Sequence, residues 1–287
     1  MPRPAFAGAP LRRTAGLVLA LATATLVFFA WQQFYPVRSA EGWSYRALHT
    51  GVAKAAALAL DGSGDLLVSE ELNDGQGRIL RIGSGNGRSV VVDGLSKPDG
   101  LVATAGGVAF SQEGGEAPVS LLENGAVTPL FTGTNVQGLW LDPGRALYAI
   151  EDRKGDGRLL RFDLASHALT TLRDRLTEAE SITGCPDGRL FYTEKSKGLV
   201  RQLTDDGQDP PLLSGLHEPS FLLCDGRGLW VSEDSTHRAR LLLLGPDGTL
   251  NTILSYLKAP QALLPLADGK YLLAEGGRNR VLEISVQ

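Results

Sequence analysis

The sequence predicts an all-β fold, a six-bladed β-propeller over residues 44–287, preceded by one transmembrane helix. Three observations carry that expectation. A turn followed by a short strand ending in a polar residue recurs six times at a period near forty residues. Glycine stands at 35 of 287 positions with no three-residue period, against roughly 20 at ordinary usage. The one long uncharged apolar run lies at the N-terminus.

That run comes first. No residue between Arg13 and Arg38 is charged, Ala15 to Trp31 is almost continuously apolar, and Arg3, Arg12 and Arg13 precede it. At about 1.5 Å of rise per residue, 14–35 just reaches the ~30 Å hydrocarbon thickness, with Trp31 and Tyr35 as interfacial aromatics. The chain therefore divides into a cytoplasmic N-terminus (1–13), a signal anchor (14–35), a linker (36–43) and the propeller (44–287). The basic flank keeps the N-terminus cytoplasmic and puts the propeller on the extracytoplasmic, periplasmic side. A cleaved signal peptide is the alternative, although its best site, Arg38-Ser39-Ala40, places a bulky cation at the −3 position. Arg12-Arg13 followed by Thr14-Ala15-Gly16 is a poor twin-arginine signal.

The repeat fixes the rest. Its strands end at Glu70, Gln112, Glu151, Glu194, Glu233 and Glu275, so the spacings are 42, 39, 43, 39 and 42. Each copy continues through a second and a third apolar run, which with its opening run makes four short strands bounded by turn signals. Four-stranded units at this period are propeller blades. The last copy stops at Gln287 after three strands, while Tyr45–Gly51 resembles the outer strand of the others. The N-terminal strand is expected to complete blade six and close the ring, leaving no free edge.

Two rings of side chains are expected around the channel on one face. In the strand-end ring each Glu is followed by an arginine: Arg78, Arg158, Arg201, Arg240 and Arg280. The copy with Gln112 has Val119 instead, as within-blade Glu to Arg pairing would produce. The entry ring, one position per blade at the start of the innermost strand, holds Ala56, Asp99, Gln137, Glu180, Ser220 and Gln261. Here the position repeats and the chemistry does not. Carboxylate and amide oxygens converging on an axis suit a hard cation such as Ca²⁺, held by Asp99, Gln137 and Glu180. Polar lining of a wet channel mouth explains the same residues. His217 and His237 fall in loops on that face; His217 is a candidate acid or base beside Asp99 and Glu180, and His237 joins Gln137, Ser220 and Gln261 as a candidate ligand contact. Cys185 and Cys224 occupy equivalent sites in adjacent blades. They are expected to be small core residues, because such sites usually exceed the ~7 Å disulfide limit.

The entry loops Lys97–Thr104 and Val136–Asp142, with strands Gly228–Ser235 and Lys270–Val281, resemble the senescence-marker-protein, gluconolactonase and luciferin-regenerating-enzyme superfamily. They are also similar to NHL-repeat and strictosidine-synthase-like propellers. The resemblance implies a divalent cation on the channel axis, usually calcium, held by a first-blade Glu and by Asn and Asp of later entry loops, which polarises a lactone carbonyl for hydrolysis. Asp99 matches the P-D-G loop of that pattern, and Gln137 and Glu180 hold equivalent positions. The first-blade stretch is Lys54-Ala55-Ala56-Ala57, without the glutamate, and no P-N-G occurs. The expected function is a cation-dependent lactone or ester hydrolase; the alternative is a non-catalytic propeller binding a small ligand or a protein partner on its channel face. With 28 basic against 32 acidic residues and a net charge of −4, the chain lacks the basic excess of a nucleic-acid binder.

Overall fold

The computed structural model describes residues 9–142 and 146–287. The turn read at Asp142-Pro143-Gly144 lies largely outside the described residues.

Residues Ala9–Phe34 form one helix. Its Thr14–Phe34 stretch, 21 residues with a mean hydropathy of 1.9, is long and apolar enough to cross a membrane once, as unbroken apolar helices can because every interior backbone group is paired within the segment.

Val37–Gln287 form a separate unit, a ring of six antiparallel sheets. The innermost strands are Ala55–Leu60, Leu101–Ala103, Val136–Leu141, Ile182–Gly184, Pro219–Asp225 and Pro260–Pro265, for blades one to six. Closure is as expected: Trp43–Thr50 runs antiparallel to Arg280–Val286, pairing Trp43 with Val286 and Thr50 with Arg280. The N-terminal segment does one thing more. Arg38–Ser39 adds a fifth strand to blade five, opposite Ser255 and Leu254, and Val37 is buried there. The segment expected as a linker over 36–43 is therefore largely docked, because an outer strand leaves backbone groups that the passing chain can pair.

Apolar side chains alternate along the strands so that each sheet buries both faces against its neighbours. Six hydrophobic clusters result, each lying between two blades. Trp230, Leu241 and Leu254 of blade five meet Tyr271, Leu273 and Leu282 of blade six; Leu67 and Ile79 of blade one meet Phe110 and Leu122 of blade two. Trp43 packs edge-on to Trp230 at 5.5 Å, tying the closing strand to blade five. Since the core lies between blades, the axis is left open for a site.

One expectation is corrected. Cys185 and Cys224 form a disulfide, with Cα atoms 4.9 Å apart. Equivalent positions are far apart over most of two neighbouring blades, but the innermost strands converge on the axis, and near it they come within disulfide reach. The bond closes a loop of 39 residues. Replacing both cysteines by alanine is expected to cost about 2–4 kcal/mol, read as a lower denaturation midpoint; reductant should lower the wild type equally and the variant not at all.

Candidate functional site at the channel mouth

Two sets of backbone contacts build the mouth. The strand-end carboxylates make the expected ion pairs: Glu70 with Arg78, Glu151 with Arg158, Glu194 with Arg201, Glu233 with Arg240 and Glu275 with Arg280. Four of these Glu side chains also hold the incoming chain. Glu70 accepts the Ala53 N–H, Glu151 that of Thr134, Glu233 that of His217 and Glu275 that of Lys258, at 2.7–2.9 Å. Gln112, without an arginine, accepts from Ser96 at 2.8 Å through its amide oxygen. The strand-end ring is thus structural: it clamps the segment leading into the entry ring.

The second device is a left-handed residue two positions before every entry-ring member: Lys54, Lys97, Asn135, Glu178, Glu218 and Ala259, with φ between 43° and 51°. None is glycine, so each carries a cost of ~1 kcal/mol. The kink turns the carbonyl of each onto the N–H just beyond the strand-end residue: Glu71, Glu113, Asp152, Lys195, Asp234 and Gly276 donate to the six in that order, at 2.8–3.1 Å. A third ring of side chains is thereby fixed beside the entry ring.

The entry ring converges as expected. Ala56, Asp99, Gln137, Glu180, Ser220 and Gln261 all line one central cavity of about 320 Å³. His217 and His237 are not among its lining residues: the His217 side chain is exposed, and His237 sits in a loop tied by the Ser235 hydroxyl to its own carbonyl.

The third ring, which sequence reasoning missed, completes the mouth electrostatically. Carboxylate oxygens of Glu71, Asp99 and Glu113 lie within 4.8 Å of one another, an acidic group able to hold a metal ion. Glu71, one residue past the strand end, thus brings a blade-one carboxylate beside Asp99. Burial pushes Asp99 well above the usual carboxylate range, with Glu71, Glu113 and Glu180 adding to it. Lys97 extends into the same group, pairing with Glu113 and lying 3.5 Å from Glu71. On the other side Lys195 bridges Glu180 at 2.7 Å and Asp234 at 2.8 Å. Burial alone would lower its pKa, and the two carboxylates raise it instead.

Three oxygens at this mouth are buried without a hydrogen-bond partner among the described residues: Gln137 Oε1, Glu180 Oε2 and Asp152 Oδ1. Buried acceptors left without donors are uncommon in folded proteins and call for an explanation such as an ion or ligand. Asp152 is pushed up to about 6, by burial first and then by Glu113. A carboxylate raised in the folded state binds its proton more tightly there than in the unfolded chain, so its contribution to stability is lost as pH rises through that value. Stability is expected to fall between about pH 4 and pH 6, and Asp152→Asn should flatten that part of the profile in urea unfolding at a series of pH values.

The signal that could have found the third ring is the one that marked the entry ring. The residue after the strand end runs Glu, Glu, Asp, Lys, Asp, Gly around the blades, a repeated position with unrepeated chemistry.

No protein-family model matches this sequence, and no curated protein matches it. Solved structures do. A gluconolactonase from Xanthomonas campestris superposes with a TM-score of 0.71 at 14% identity, over 87% of this chain and 91% of its own. Virginiamycin B lyase from Staphylococcus aureus gives 0.60 at 17%, over 84% and 83%. An auxiliary nutrient binding protein from Bacteroides thetaiotaomicron gives 0.65 at 15%, over 82% and 69%. A hydrolase, a lyase and a binding protein share this scaffold, so the likeness, including the gluconolactonase-type resemblance read from the entry loops, holds at the level of fold.

Proposed function

We propose that this protein is a membrane-anchored, extracytoplasmic hydrolase of lactones or esters that uses a divalent cation at the acidic mouth of its channel. The observation that carries this is the convergence of Glu71, Asp99 and Glu113 beside the unpartnered oxygens of Gln137 and Glu180. The donors are all oxygen and mostly carboxylate, which suits calcium. Glu71, Asp99 and Glu113 would hold the ion, with Gln137 and Glu180 beside them. When bound, such a cation polarises the scissile carbonyl and offsets the charge that grows on its oxygen. The chain's own residues orient and deprotonate. Ser220 and Gln261 line the same cavity and would contact the ligand there. Asp152, with its pKa near 6, is ionised at neutral pH yet basic enough to take a proton from water. The gluconolactonase structure supports this by analogy of fold. Two features support the location: the basic flank of the helix, and a disulfide in a chain with only two cysteines, which suits an oxidising compartment.

One observation favours a second reading. The Lys97 ammonium already sits against Glu113 and Glu71, as a cation would, which suits a non-catalytic propeller binding a small ligand or a protein partner. Calorimetric calcium titration, paired with hydrolysis of a panel of aldonolactones, alkyl lactones and aryl esters in calcium and in chelator, separates the two. Saturable calcium binding with chelator-sensitive hydrolysis is expected. Calcium binding without turnover would leave the binding module, and absence of both would remove the cation as well.

A further inference from the structure

Below the acidic mouth the cavity changes character abruptly. Two residues beyond each entry-ring position stands an aliphatic side chain in all six blades: Leu58, Leu101, Leu139, Ile182, Leu222 and Leu263, each lining the same cavity. Two residues of strand are about 7 Å, so the polar and apolar rings lie within one small molecule's length. Packing between blades accounts for much of this ring, since most of its members are buried in the interblade clusters. The next ring packs against those clusters too, through Val102, Trp140, Leu223 and Leu264, yet all four stay partly exposed and line the cavity, where polar side chains would be tolerated, and Thr183 is the one polar lining residue at that level.

We infer that the ligand of this site is amphipathic: a lactone or ester carrying an unbranched alkyl chain, its carbonyl at Asp99 and its chain directed down the channel past Leu139 and Trp140. This rests on the hydrolase reading for the head group and on the apolar rings for the chain. A cavity of about 320 Å³ has room for roughly ten water-sized groups, enough for a five-membered lactone ring and a chain on the order of four to six carbons. A polyhydroxylated lactone fits less well, because each hydroxyl carried below the mouth would lose its water partners without gaining others.

The test is calorimetric titration of the full chain, in calcium and in chelator, with γ-valerolactone, γ-hexalactone, γ-octalactone, γ-decalactone and glucono-δ-lactone, with turnover followed separately. Kd is expected to fall about fourfold per added methylene until the cavity is full. Val102→Thr, nearly isosteric and on a partly exposed wall, should weaken octalactone about threefold and leave valerolactone unchanged. Leu139→Ala should move the break in the series to a longer chain. Chain-length-dependent binding without turnover would support this ligand class while removing the hydrolase. Turnover of glucono-δ-lactone with no chain-length dependence would overturn the ligand class and leave the hydrolase standing. A flat series with no turnover would overturn both.

Discussion

Asp99→Asn is expected to abolish calcium binding and to lower kcat/KM for any turned-over lactone by about 10²–10³-fold, while raising the thermal midpoint of the metal-free protein by about 2–4 °C. The two effects have one cause. Asp99 is held above its ordinary pKa by burial and by the carboxylates of Glu71, Glu113 and Glu180, with Lys97 opposing. An acid whose folded pKa is raised contributes stability only while protonated, and that contribution is lost as pH rises through the folded value. Above the ordinary carboxylate range the metal-free fold must either hold that proton or bear the charge, and either is a burden on it. The amide keeps the shape, removes the charge and cannot replace a carboxylate ligand. A bound divalent ion reverses the balance, so calcium should stabilise the wild type and leave Asp99→Asn unmoved in a thermal melt. A variant that lost activity and stability together, and still responded to calcium, would place Asp99 in the scaffold instead.

Lys97 is the counterpart of that argument. Its ammonium shares Glu71 and Glu113 with the proposed ion, so Lys97→Gln is expected to tighten calcium binding by about tenfold, on the order of 1.4 kcal/mol, in the same titration. Looser binding in this variant would mean that Lys97 positions the carboxylates and does not compete for them.

Much of this was legible in the sequence because periodicity is insensitive to detail. Six strand ends at 39 to 43 residue spacing fix the number of blades, and a last copy lacking its fourth strand requires the N-terminal segment to close the ring. The entry ring was also legible, since an equivalent position in each blade must face the same axis whatever residue it carries. What escaped needed coordinates. Glu71, Glu113 and Asp152 reach the mouth only because a left-handed residue in each connection turns its carbonyl onto their N–H groups, and positive φ at Lys97 or Glu178 has no marker where glycine is absent. The disulfide depended on how closely the innermost strands approach the axis, a distance that sequence spacing does not carry. Arg38–Ser39 escaped because a strand of two residues has no period.

Arg158→Met is expected to destabilise the propeller by about 3–5 kcal/mol, and adding Glu151→Gln to recover most of that loss. Glu151 is fully buried, where Arg158 meets it with two hydrogen bonds of 2.6 and 2.8 Å and the Thr134 N–H supplies a third at 2.9 Å. Removing the guanidinium leaves a buried carboxylate with one hydrogen-bond donor, the Thr134 N–H, and the Arg153 guanidinium only at 4.0 Å. The remedy is already present in the same chain. Blade two carries Gln112 and a buried Val119 at the equivalent positions, and the Gln112 amide oxygen keeps the backbone bond, to Ser96 at 2.8 Å, without any charge to neutralise. A neutral acceptor therefore suffices to hold the entry segment, and the arginine is required only because the acceptor is ionised. A double-mutant cycle by urea unfolding reads this directly. Coupling of 2 kcal/mol or more between Arg158→Met and Glu151→Gln would show that the pair offsets its own buried charge; additive losses would mean that Arg158 stabilises blade three through its packed stem.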